Sequence, residues 1–217
     1  MNLCGIELVQ IPTGKFQLGA TENDRYANRH EHPRRTLEVP AFYLAKYPIT
    51  EAQLGVVESS LPAVNVSWDD AMLFCESLTE KTGHTVTLPT EQQWEYACRA
   101  GSDSPFPNAN FMEPKDANFL YDDLGNRIGM GQRTAVGSYP ENAFGVADMV
   151  GNVAEWTRSE WKNDYSDSSS FFQDQKVIRG AGWDGLPRLL RCSNRDFAHK
   201  STSRDNLGFR ISVTINS

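Results

Sequence analysis

A chain of 217 residues, 39% hydrophobic and 23% charged, has the make-up of one soluble globular domain able to bury a core without covalent staples. Its net charge of -7 excludes a surface built to neutralise phosphates, so no nucleic-acid partner is expected, and no apolar stretch is long enough to span a bilayer. Residues 6 to 19 alternate apolar and polar around Pro12-Thr13-Gly14, which predicts a strand pair. Thr21 to Arg35 is a polar loop. Arg35 to Tyr47 alternates again through Leu37, Val39, Phe42 and Leu44, predicting one strand that enters the core.

Three short helices follow, each with a start signal. Thr50 with Gln53 forms a capping box and opens a helix over roughly 51–58. Ser67 caps the second, whose Trp68, Ala71, Met72, Cys75 and Leu78 share one face and which Gly83 ends. Thr90 with Gln93 caps the third, with Trp94, Ala97 and Cys98 inward and Gly101 as the stop. Beyond Ser102 the chain is rich in Gly, Asn, Asp and Ser. Its apolar runs are short: Ala135–Val136, Val146–Val150, Lys176–Arg179 and Gly208–Ile215. That is a loop-rich β region. No boundary and no repeat divides the chain, so one α+β domain over 1–217 is expected.

The four cysteines (Cys4, Cys75, Cys98 and Cys192) form no CxxC, and the four histidines have no metal-site spacing. Met1 to Lys15 lacks a basic stretch followed by an apolar run, so the location expected from the chain as written is cytoplasmic, with surface or virion display left open.

Several motifs occur in a fixed order. Thr87-Leu-Pro-Thr-Glu-Gln-Gln-Trp-Glu-Tyr-Ala-Cys-Arg-Ala-Gly101 resembles the LPTEAEWEYA signature of the formylglycine-generating-enzyme (sulfatase-modifying factor) domain. Asn142-Ala-Phe-Gly145 and Asp148-Met-Val-Gly-Asn-Val-Ala-Glu-Trp-Thr157 resemble its NxxGLYDMxGNVWEWT block. Ile178-Arg-Gly180 and Asn206-Leu-Gly-Phe-Arg210 resemble its RGGS and GFR elements, and Phe16 to Gly19 and Ala41 to Thr50 its N-terminal pattern. The resemblance runs along nearly the whole chain and implies a C-type-lectin-like fold with short helices and small antiparallel sheets. Trp94, Trp156 and Phe209 then read as core aromatics, and Arg179 and Arg210 as partners in buried ion pairs and carbonyl bonds.

The enzymes of this family use a pair of reactive thiols just after the RGGS element. Here that stretch reads Arg179-Gly-Ala-Gly-Trp-Asp-Gly-Leu-Pro-Arg-Leu-Leu-Arg-Cys192, with its one cysteine at a later position that resembles a structural one. Gly182 stands where the family has Ser, and Ala154 where it has a pocket Trp. The resemblance therefore implies neither copper nor the family's thiol chemistry, and no catalytic residue is assigned. Cys98 and Cys192 match positions that are bridged in the enzymes. Asp148, Gly151, Val153 and Glu155 match the family's calcium ligands, two by carboxylate and two by carbonyl, implying a structural Ca²⁺ that holds the loop. The alternative is that Asp148 and Glu155 only make loop hydrogen bonds.

The last segment is compositionally odd. All fourteen Glu and all eight Gln precede Arg179, no Met follows it, and one Trp and one Lys do. These are the residues that NNC codons cannot encode. The pattern resembles the variable proteins of diversity-generating retroelements, which carry this domain and end in a repeat where template adenines, often in AAC codons, are replaced at random. By that resemblance Gly182, Asp184, Gly185, Leu186, Leu189, Asp196, Phe197 and Ala198 are interchangeable. Arg179, Trp183, Arg188, Arg191, Arg195 and Gly208-Phe-Arg210 form the constant frame. Ala181 and Lys200 do not fit the codon pattern. The expectation is a non-enzymatic protein whose segment 179–210 binds a protein or other macromolecular ligand around Trp183. The alternatives are a diverged oxidoreductase of the family, metal-assisted through His199 and Asp196, and a structural pseudoenzyme.

Overall fold

The alternation over residues 6 to 19 produces two strands that do not pair with each other. In the computed structural model, which describes residues 1–107, 109–166 and 172–214, β1 (Asn2–Leu3) pairs with β2 (Ile6–Ile11), and β2 continues onto β5 (Phe42–Ala45). β3 (Gly14–Leu18) leaves that sheet and pairs only with β4 (Arg35–Val39). The break is fixed from outside: the Tyr96 hydroxyl donates to the Pro12 carbonyl, and Gly14 lies so close under that hydroxyl that a Cβ would collide with it. The single strand expected from Arg35 to Tyr47 is two, divided at Pro40 and Ala41, because Pro supplies no N–H to continue a ladder.

All three capping boxes form, with Thr50, Ser67 and Thr90 each accepting from the backbone N–H three residues on. Their helices are α1 (Glu51–Leu54), α2 (Trp68–Thr82) and α3 (Glu91–Arg99). α1 stops well short of residue 58 because Gly55 turns left-handed at φ 79. Gly83 ends α2 as expected, whereas α3 ends one residue early, on a left-handed Ala100.

The remaining strands are β6 (Thr85–Thr87), β7 (Ala154–Glu160), β8 (Gln175–Arg179), β9 (Asp196–His199), β10 (Leu207–Phe209) and β11 (Ser212–Thr214). One sheet has the order β1-β2-β5-β11-β6, so the first and last described strands belong to it. The other has the order β10-β7-β8-β9, with β10 parallel to β7 and the other pairs antiparallel. Ile215, at the end of the last apolar run, lies outside the described residues.

Ile49, Ala71, Cys75, Trp156 and Phe209 build one core cluster, and Leu44, Trp94, Phe119, Met149 and Leu190 build a second beneath α3. Trp94, Trp156 and Phe209 are completely buried. The described residues between α3 and β7 contain no helix or strand. Side-chain amides hold them instead: Asn152 accepts the Thr134 N–H at 3.0 Å and donates to the Thr134 carbonyl at 3.1 Å. This is the loop-rich α+β architecture, with short helices and small sheets, that the sequence leads one to expect. Among the described residues no helix is long and apolar enough to cross a membrane.

β10 packs so tightly that a Cβ on Gly208 would run into the backbone carbonyl of Ala63, which cannot swing away as a side chain could. Gly208→Ala should cost about 1–3 kcal/mol. Calorimetry should show its melting temperature lowered by about 2–4 °C for each kcal/mol, and an unchanged melting temperature would contradict the packing.

Candidate ligand-binding site

Between Arg179 at the end of β8 and Asp196 at the start of β9, the only regular element is a 3-10 turn, Pro187–Leu189. Arginines hold this stretch in place. α3 carries Glu91 and Glu95 one turn apart on its buried face. Arg179 reaches Glu91 at 3.1 Å and Glu95 at 2.5 Å, and donates to the carbonyls of Cys192 and Ser193. Arg195 grips both oxygens of Glu91 and stacks over Trp161 and Tyr165, 4.6 and 4.4 Å from the ring centres. Arg191 forks onto Glu31 at 2.6 and 2.7 Å and onto Asp24 at 2.8 Å. Arg210 forks onto Glu155, with both bonds 2.8 Å, and donates to the carbonyls of Ala45, Lys46, Ala147 and Asp148.

All four guanidinium groups are buried, which is tolerable only because their carboxylate partners are buried beside them. Burial by itself lowers the pKa of Arg179, yet Glu95 and Glu91 hold it above the ordinary guanidinium value. Burial likewise raises Glu31, but the hydrogen bond and charge of Arg191 outweigh that and leave it below 4.5. Arg188 is different. It is exposed, and only its backbone carbonyl joins the network, accepting from Arg191 Nε at 2.8 Å.

Over this frame lies a cleft of about 360 Å³ that gathers Gly182, Asp184, Gly185, Leu189 and Asp196, together with Asn194, Arg204 and Asn206. Asp184, Leu189 and Asp196 are exposed. The two glycines are not freely exchangeable in this packing: a Cβ on Gly182 would stand 2.9 Å from Asn206 Cβ, and one on Gly185 would stand 3.1 Å from the Gly182 carbonyl. Next to them Ala181 is left-handed at φ 55, a strain of about 1–2 kcal/mol at the mouth of the cleft. Trp183 lies beside the cleft, half-buried, its indole donating to the Asp205 carbonyl at 3.4 Å. Leu186 is half-buried and lines no part of it.

Two residues expected on this face are elsewhere. Ala198 is buried in the core, and Phe197 stacks on Trp161 with ring centres 4.4 Å apart. Strand alternation accounts for Phe197, which β9 points to the face opposite Asp196, whereas Ala198 lies on the side of Asp196 but packs into the core.

Of the four positions matching calcium ligands, Glu155 is committed to protein partners. Both Glu155 oxygens are taken by Arg210, and Trp94 Nε1 donates to one of them at 2.8 Å. Asp148 accepts from the Gly137 N–H at 2.6 Å through Oδ2, while its buried Oδ1 has no partner among the described residues. Among the described residues no group of three or more His, Cys, Asp or Glu is placed to hold a metal. Gly151 and Val153 remain as loop residues, with the Gly151 N–H bonded to the Gly180 carbonyl at 2.8 Å. Arg210 ties Glu155 to the loop carbonyls of Ala147 and Asp148. Cys98 and Cys192 are unbridged and fully buried, their sulfurs 3.5 Å apart.

The Glu31–Arg191 pair has a pH signature. A carboxyl held below its unfolded value contributes stability above about pH 4.5, and loses that contribution as pH falls through the lower folded-state value. Glu31→Gln should therefore cost about 3–5 kcal/mol at pH 7. In urea unfolding its deficit relative to the parent should shrink as pH drops below 4.5, and a deficit that stays constant would refute the pairing.

A family profile described as the sulfatase-modifying factor enzyme 1-like domain matches residues 55–215. Inactive C-alpha-formylglycine-generating enzyme 2 of Bos taurus is 33% identical over 164 residues, covering 69% of this chain and 49% of that protein. The formylglycine-generating enzyme of Mus musculus is 30% identical over 172 residues, covering 71% of this chain and 45% of that protein. The chain thus spans about half the length of these curated relatives. Among solved structures, PvdO from Pseudomonas aeruginosa matches with a TM-score of 0.85 at 27% identity, covering 97% of this chain and 95% of its own. Treponema denticola variable protein 1 matches with a TM-score of 0.79 at 20% identity over 94% of each chain, a likeness of fold. The profile, the relatives and the architecture agree: the chain belongs to the sulfatase-modifying factor enzyme 1-like, or formylglycine-generating-enzyme-like, domain family.

Proposed function

We propose that this protein is a non-enzymatic binding protein whose segment 179–210 offers an interchangeable face to a protein ligand. The observation that carries the reading is a division of labour within one stretch of chain. Arg179, Arg191, Arg195 and Arg210 are buried on carboxylates, while Asp184, Leu189 and Asp196 open onto a single cleft. A face of that kind can change its side chains without disturbing the frame beneath. The likeness in fold to a protein named as variable supports the reading, as does the relative named as inactive.

The thiols support it as well. None of the four cysteines lines the cleft. Cys98 and Cys192 are completely buried, and burial pushes the Cys75 thiol to about 12, far from the thiolate that reacts or binds soft metals.

Sequencing the DNA around the gene tests the interchangeable face. A near-copy of the segment differing only at adenines, beside a reverse-transcriptase gene, is expected, and its absence would end this reading. Copper tests the oxidoreductase alternative. After dialysis against copper(I) the purified protein should retain far less than one ion per chain, and tight stoichiometric retention would favour an enzyme.

A further inference from the structure

The cleft has a chemistry of its own, and the inference drawn from it rests on the binding reading above. Asp184 and Asp196 stand at its rim, and the walls include the aliphatic side chains of Ala154, Ile178 and Leu189. The guanidinium groups of Arg179 and Arg195 at its base are engaged with Glu91 and Glu95, and Arg179 Nε alone among their donors is buried without a partner among the described residues. Among the described residues Asp196 pairs only with Arg204, at 3.7 Å, a loose contact with both side chains partly in water. Asp184 accepts from a single donor, Asn206 Nδ2, at 2.9 and 3.0 Å, which leaves acceptor capacity on each oxygen.

A second observation points into the same space. Asn194 lines the cleft, is only 7% exposed, and its carboxamide has no hydrogen-bond partner among the described residues. Its polar atoms are not sealed from the cleft and are therefore free to bond a ligand there.

We infer that the cleft receives a basic side chain, arginine or lysine, from the polypeptide it binds. The methylenes would lie along Ala154, Ile178 and Leu189, and the cationic head would donate to Asp184, Asp196 and the Asn194 carboxamide oxygen. The Arg204 guanidinium, held so loosely, is the group such a head displaces from Asp196. Anionic side chains are rejected by the two rim carboxylates.

The test is a titration of the full chain with N-acetyl-arginine methylamide, followed by amide shifts in two-dimensional NMR. Its uncharged analogue N-acetyl-citrulline methylamide serves as the control. Saturable shifts at the Gly182 and Gly185 amides with a Kd of about millimolar are expected for the arginine probe alone. The double variant Asp184→Asn with Asp196→Asn should bind it about tenfold more weakly or worse, while Arg204→Gln should bind it more tightly. These side chains are exposed and outside the buried network, so a native-like spectrum confirms that each variant is folded. Equal binding of both probes, no binding of either, or indifference to the aspartate changes would overturn the inference. Those outcomes would leave the interchangeable face standing with another ligand. A missing adenine-substituted copy in the DNA would instead remove the interchangeable face and leave a saturable arginine site intact.

Discussion

The structure depends on a set of buried carboxylates meeting arginines that arrive from far along the chain. Glu91 alone receives Arg179 and Arg195, and Tyr165 Oη lies 3.3 Å from its carboxylate. Glu95 receives Arg99 and Arg179 and also caps the Gly19 N–H. Such pairs add little stability over apolar packing of the same volume, but breaking one strands a charge in the interior. Their use here is positional. A segment with almost no ladder hydrogen bonds gains a unique path because each arginine has one place where its charge can be buried.

That arrangement separates what fixes the backbone from what meets the solvent. In a helix or strand the residues that form the element also form its surface. Between β8 and β9 the chain is anchored by carbonyl oxygens as well as by side chains. Arg179 takes the carbonyls of Cys192 and Ser193, and Arg191 takes that of Arg188. A carbonyl is indifferent to the side chain it carries, so the exposed positions carry no structural duty. The buried Gly182 and Gly185 differ, crowded by Asn206 and by the Gly182 carbonyl respectively.

Much of this was legible locally. The three capping boxes at Thr50, Ser67 and Thr90 are short-range patterns and formed as read, and the core roles of Trp94, Trp156 and Phe209 followed from the motifs around them. Partner choice was not legible. Nothing near Ile11 shows that β2 will pair with β5 while β3 joins β4, because that choice is made by residues such as Tyr96. Likewise nothing near Glu155 shows that Arg210, 55 residues on, will donate to both its oxygens. That Phe197 lies outside the cleft was hidden for a simpler reason: β9 turns it to the side opposite Asp196, a period visible only once the segment is known to be a strand.

β7 has β8 on one edge and β10 on the other, so the chain between Arg179 and Leu207 leaves and returns at fixed points on the same strand. Both ends are clamped before any of the intervening chain is considered. For a loop closed in this way the entropic penalty of added length grows only logarithmically, by about 0.6 kcal/mol for each doubling. The face can therefore be lengthened as well as re-lettered. An insertion beside Asp184 would enlarge the cleft at small thermodynamic expense, provided that it left Arg191 and Arg195 able to reach Glu31 and Glu91.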